Sequence, residues 1–169
     1  MSVSANPMIP ADGTIKIEDG AALSITIQYE DGDFAASNLS KDQKSVVAFK
    51  DRGKTYAVRE VEDVDIDGTF TCHAIALLGD GTTAMPTDAA LRLGVWAAAT
   101  SMISAAQGNA YLLKVTFTAE RSNFGATSDS TMVLKYCRVV VDFSEGVPGK
   151  LSLKLSAFPL STDYLTLTG

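Results

Sequence analysis

Apolar and polar residues alternate with period two through most of this chain, and that commits the fold to sheets. Leu23, Ile25, Ile27 and Tyr29 fall at every second position with Ser24, Thr26 and Gln28 between them, which places one face of a strand inward and the other in water. Ile15 and Ile17 mark a shorter strand ahead of it. Val46 to Lys50 and Thr55 to Val61 flank Asp51-Arg52-Gly53-Lys54, a hairpin signal because glycine takes positive φ without a steric penalty. Phe70, Cys72, Ala74 and Ala76 alternate with Thr71, His73, Ile75 and Leu77, and a segment apolar on both faces predicts a central strand. Leu113 to Ala119, Met132 to Phe143 and Leu151 to Ala157 complete the set, the last two joined by a turn rich in Gly and Pro.

One segment breaks the alternation. Leu91, Val95, Ala98, Met102 and Ala105 recur at helical spacing, Thr87 and Asp88 suit a helix start, and Gly108-Asn109 suits its end. This predicts one helix over about 87–107 lying flat on the sheet. Arg92 is the only charge from Ala89 to Gln107. So charge-poor a helix is hard to leave exposed, and its small-residue side, with Ala97, Thr100, Ser101 and Ser104, is expected to meet another subunit.

At 169 residues the chain is long enough to bury roughly 70% of its unfolded surface in one core without disulfides or metals. The division expected is an N-terminal arm over 1–12, one β domain over 13–158 and a Ser/Thr-rich C-terminal tail over 159–169. No apolar run approaches the roughly 18 residues of a membrane span, and the first residues lack the basic start and apolar stretch of a secretory signal. Cys72 and Cys137 lie far apart outside any CxxC motif, which favours two buried free thiols.

The formal charge is −6, from 14 Lys+Arg and 20 Asp+Glu. An acidic total argues against a protein that grips the nucleic-acid backbone. The charge is also unevenly placed: residues 1–90 carry 15 acids and 7 bases, net −8, and residues 91–169 carry 5 acids and 7 bases, net +2. Such asymmetry either arises by chance in a folded domain, the reading the sequence alone favours slightly, or gives one molecule surfaces of opposite sign that attract head to tail.

Motifs for catalysis are weak. Asp63-Val64-Asp65-Ile66-Asp67-Gly68 opens like a calcium loop, but the twelfth position holds Ala74 instead of the bidentate Glu, and the flanks read as strands. His73 is the single histidine, and Cys72 beside it points to the opposite strand face, so the two form no nucleophile pair. One His and two distant Cys fall short of a zinc site. Glu60 and Glu62 share a strand face within the acidic run completed by Asp63, Asp65 and Asp67. Phosphate-loop motifs are missing, since Gly79-Asp80-Gly81-Thr82-Thr83 reads as a turn. These residues give no catalytic group, metal or cofactor to expect.

The order of segments carries more than any motif. A leading strand ends in Tyr29-Glu30-Asp31-Gly32-Asp33-Phe34, a polar stretch from Ala35 to Ser45 leads to the hairpin at Arg52-Gly53, Asp67-Gly68-Thr69-Phe70-Thr71-Cys72 precedes the helix, and Phe143-Ser144-Glu145-Gly146-Val147-Pro148-Gly149 joins the late strands. This order resembles the major tail tube protein of long-tailed, siphovirus-type bacteriophages over about residues 13–158. The resemblance implies a mainly β fold, a β-sandwich or partly open β-barrel with one flanking α-helix. It also implies a non-enzymatic virion protein whose hexameric rings stack into a hollow tail tube through which double-stranded DNA passes without specific binding. The partners implied are further copies of the chain, a tape measure protein, a tail terminator and distal tail proteins, with no membrane; the protein would be made in the bacterial cytoplasm and end in the virion tail.

In that family a long early loop reaches the neighbouring ring, which implicates Ser37, Asn38, Ser40, Lys41, Asp42 and Lys44. Glu60, Glu62, Asp63, Asp65 and Asp67 become candidates for an acidic lumen or ring contact, since a negative wall repels phosphate and lets the duplex slide. Two alternatives stand beside this reading. One is a related ring or tube protein, either a tail terminator or the secreted tube of a contractile injection system. The other is a soluble β-barrel that binds a small ligand.

Overall fold

In the computed structural model, which describes residues 13–28, 34–39, 44–74, 77–80, 83–120, 128–146 and 149–169, the alternation resolves into ten strands. They are β1 (Gly13–Glu18), β2 (Ser24–Gln28), β3 (Ala35–Ser37), β4 (Lys44–Asp51), β5 (Lys54–Asp63), β6 (Ile66–Ala74), β7 (Leu113–Ala119), β8 (Ser130–Ser144), β9 (Gly149–Ala157) and β10 (Leu165–Thr168). Eight form one antiparallel sheet in the order β2-β1-β7-β8-β9-β6-β3, with β10 also paired to β8; β4 and β5 pair only with each other. The mainly β expectation therefore holds, as one open sheet and a separate hairpin, with no second sheet stacked face to face.

The inward set is the one the period assigns: Ile15, Ile17, Ile66, Phe70, Val115, Leu134, Leu151, Leu153 and Leu155 are buried. Phe34, just ahead of β3, stacks on Phe117 of β7 with ring centroids 4.6 Å apart. In the sheet order β3 lies four strands from β7, about 19 Å across a flat sheet at ~4.8 Å per strand. The sheet must curl for these rings to meet, so it encloses the core as a partly open barrel whose end strands β2 and β3 do not pair.

A bulge divides β8. Leu113 pairs with Cys137 but Val115 with Leu134, and Tyr136 takes φ 59°. The extra residue turns both Leu134 and Cys137 inward although they are three positions apart. Before the bulge β8 pairs with β10, and after it with β9 on the same edge. The stretch set apart as a tail thus packs on the sheet through β10, and Tyr164 is fully buried.

The long helix does not form. Helix α1 spans only Pro86–Leu91, Gly94–Ala98 is one 3-10 turn, and no helix follows before β7. Arg92 is left-handed at φ 56° and Gly94 at φ 53°, which ends the helix after less than two turns. Tertiary bonds then hold the next residues extended: Thr100 N–H donates to Asp19 Oδ2 (3.0 Å), and Gly20 N–H donates to the Thr100 carbonyl (2.8 Å). Thr87, expected as the cap, lies inside the first turn and donates its hydroxyl to the Leu77 carbonyl. Asp88 is buried and accepts from the N–H groups of Gly79 and Met85, each at 2.8 Å. Trp96 is buried in the core, while Leu91 and Val95 of the apolar stripe face solvent.

Candidate assembly surfaces

The β4–β5 hairpin is apolar on both faces and exposed on both. Its turn uses Arg52 (φ 46°) and Gly53 (φ 81°), the two positive-φ positions of a type I′ turn. Val46 pairs with Glu60 and Ala48 with Val58 on one face; Val47 pairs with Arg59 and Phe49 with Ala57 on the other. Val46, Tyr56, Val58 and Val61 are 55–70% exposed. The Arg59 guanidinium lies 5.6 Å from the Phe49 ring centroid, which covers only part of the second face. An isolated two-stranded hairpin is marginal in water, and a free apolar edge is a hazard that folded proteins cover.

A second surface lies where β7 parts from β8. Beyond Cys137 no strand pairs with β8 on β7's side among the described residues. The space there is a cleft of about 580 Å³ lined by Ala90 and Leu91 of α1, Ala110 to Leu112, Arg138 to Val141 and Phe158. Tyr111 is fixed at its wall, donating its hydroxyl to the Ala89 carbonyl (2.9 Å) beneath the Arg92 guanidinium, 4.8 Å from the ring centroid. Burial pushes its phenol up to about 12, against the pull of Arg92.

The residues singled out from sequence fall in several places. Ser37 belongs to β3 and Lys44 to β4, so the polar stretch from 35 to 45 is not one long loop. Ser37 Oγ donates to the Asp67 carbonyl (3.4 Å), and Asn38 Nδ2 to the Asp65 carbonyl (3.2 Å). Ser40, Lys41 and Asp42, like the arm over 1–12, lie outside the described residues. Glu60, Glu62 and Asp63 stand on the hairpin, whereas Asp67 stands on the large sheet and accepts from Ser156 Oγ (2.9 Å). Asp65 joins them, its carboxyl raised above the usual range by desolvation and by Asp67 and Asp63. Ala97, Thr100, Ser101 and Ser104 share no helix face. Ser101 Oγ instead accepts from the Leu112 N–H (3.0 Å) and donates to the Ala110 carbonyl (2.8 Å).

The solvent face of the large sheet carries a charge unlike that of the whole chain. The positions between inward residues bring out Lys16, Lys114, Lys135, Arg138, Lys150 and Lys154 against Glu18, Asp67 and Asp142. Glu18 pairs with Lys114 (2.7 Å) and Lys16 (2.9 Å), and Lys154 with Asp142 (2.6 Å). Desolvation acts to raise the Glu18 carboxyl, but its bonds to Lys114 and Lys16 outweigh that and hold it low. The sequence pattern contained this face, but locating it required knowing which strands adjoin.

Both cysteines are buried free thiols, pushed up by desolvation to about 11 for Cys72 and about 12 for Cys137, far from the thiolate a nucleophile requires. Among the described residues no three His, Cys, Asp or Glu side chains are grouped to hold a metal ion, and no helix is long and apolar enough to cross a membrane.

This fold, a curled antiparallel sheet with a separate hairpin and a short helix, is similar to that of several solved structures. The fold is similar over 99% of this chain and 100% of the other to a chain in the sheath/tube terminator of the PVC extracellular contractile injection system in its extended state, with TM-score 0.59 and 9% identity. It is similar to a chain in the extended PVC sheath-tube complex (TM-score 0.56, 9% identity, 98% and 94% covered) and to one in the anti-feeding prophage baseplate (TM-score 0.57, 10% identity, 98% and 97% covered). Neither a protein-family model nor a curated protein matches the chain.

Proposed function

We propose that this chain is a structural, non-enzymatic subunit that assembles with copies of itself into rings of the tail-tube type, six to a ring, the rings stacking into a hollow tube. The observation that carries the reading is the hairpin: a two-stranded arm with exposed apolar residues on both faces pairs with no other strand of its own subunit among the described residues. The end-to-end likeness to chains of assembled injection-system particles supports it. Partners of the finished particle follow from the same reading: a terminator at one end, distal tail proteins at the other and a tape measure within.

DNA is the cargo the total charge favours, and the wall decides whether it slides. Glu62 and Asp63, at the base of the hairpin, would repel phosphate, whereas the cationic face of the large sheet would hold it. Duplex passage therefore calls for the hairpin acids, not the sheet face, to border the channel.

Negative-stain microscopy and sedimentation velocity of the purified protein, alone and with initiator components, test the assembly. Rings or tubes with a central channel are expected. A species that stays monomeric at high concentration in both conditions overturns the reading. Single rings that do not stack support a terminator, the alternative favoured by the likeness to the terminator particle.

A further inference from the structure

Two exposed apolar surfaces on one molecule ask whether each is the other's complement. The first is the hairpin face formed by Val46, Ala48, Val58 and Glu60. The second is the cleft beside the open edge of β8, whose wall includes Leu91, Tyr111, Val139, Val140 and Phe158, with Arg138 at its rim.

We infer that the cleft beside β8 is the receptor for the β4–β5 hairpin of another copy of this chain, with Glu60 of the incoming hairpin paired to Arg138. The inference rests on the self-assembly reading above and specifies its contact.

Three features of the two surfaces agree. Both are apolar at the centre and their charges are opposite, Glu60 and Glu62 on the hairpin face against Arg138 at the cleft, and neither the Glu60 nor the Arg138 side chain has an ion pair or hydrogen bond among the described residues. The volume of about 580 Å³ lies within the ~300–1,000 Å³ range of sites that bury large groups, room for side chains the size of Val46 and Val58. The backbone also matches, since the hairpin's outer edges and β8 beyond Cys137 are strand edges without a partner strand among the described residues, the arrangement that accepts strand addition. Because hairpin and cleft are different patches of one surface, the contact is heterologous and repeats from copy to copy.

The test combines a cross-link with a charge swap. Val58→Cys and Val140→Cys, made in separate chains and mixed under mild oxidation, are expected to give an intermolecular disulfide, while either variant alone gives none; the native thiols are buried and stay silent. Glu60→Arg and Arg138→Glu are each expected to raise the concentration for half-assembly by about tenfold or more, and the double swap to restore much of that loss. Wild-type assemblies that form normally while the cysteines fail to cross-link and the swap changes nothing would overturn this contact and leave the tube reading intact. If the wild type itself never assembles, the tube reading fails and this inference with it.

Discussion

A Cβ placed on Gly20 would lie 2.4 Å from the Ser101 carbonyl oxygen and 2.9 Å from its carbon. Backbone of Thr100 and Ser101 fills that space, tied down by the bond from Gly20 N–H to the Thr100 carbonyl and by Asp19, whose Oδ1 also accepts from Ala21 and Leu23. Neither side can yield cheaply, so Gly20→Ala is expected to lose about 2 kcal/mol of stability, read as a lower urea midpoint at unchanged slope. Asp65 presents the opposite case. Its raised carboxyl means that the folded chain holds a proton there more readily than the unfolded chain, so its charged form weakens the fold above the carboxylate range and ceases to do so as pH falls through the folded value. Asp65→Asn is therefore expected to raise the thermal midpoint slightly at pH 7 and to match the wild type near pH 3. An equal gain at both values would assign the effect to something other than charge crowding by Asp67 and Asp63.

Elements differ in what holds them, and the hairpin is the extreme. Its apolar side chains gain little within the subunit, so Val58→Asp together with Val61→Asp is expected to shift the thermal midpoint by less than about 2 °C and to abolish assembly in sedimentation. A large drop in the midpoint would mean that the hairpin belongs to the subunit's own core. The same contrast explains what the sequence revealed. Strands were legible because period two maps directly onto two faces, and the hairpin turn was legible because Arg52-Gly53 satisfies its φ requirements locally. The hairpin's isolation was not, because Val46, Phe49 and Val58 look like core residues until the sheet order is known. The helix was misread for a related reason. Leu91, Val95, Ala98 and Met102 have helical spacing, but the backbone leaves the helix at Arg92 and is tied at Thr100 to Asp19 and Gly20, some eighty residues earlier. The bulge at Tyr136 left no trace, since its left-handed residue is not a glycine. Of the candidate site residues, the acids of β5 stood out in the sequence by their density, whereas Arg138 and Val140 become candidates only because β7 stops beside them.

At the scale of the whole molecule, apolar contact and net charge pull assembly in opposite directions. Six hairpin residues, Val46, Val47, Phe49, Tyr56, Val58 and Val61, are 39–70% exposed. Burying what remains of each contributes roughly 1 kcal/mol, about 6 kcal/mol for one hairpin, which is near the low end of the ~4–15 kcal/mol cost of association. One contact alone is thus marginal, and in the proposed ring each added copy would make several contacts at once, which is what would stabilise the assembly. Every copy also carries −6. At 0.01 M salt the Debye length of about 30 Å exceeds the ~15 Å radius of gyration of a chain this size, so whole subunits repel. At 0.15 M it is about 8 Å, which screens the monopoles but leaves close pairs such as Glu60 with Arg138 largely intact; at 1 M, about 3 Å, the pairs weaken too. The assembled fraction, measured by sedimentation at fixed protein concentration, is accordingly expected to rise from 0.01 M to near 0.15 M NaCl and to fall again toward 1 M. A steady rise would mean that apolar contact alone drives assembly. A steady fall would mean that opposed patches dominate at every range and that the net charge of the subunit has no effect.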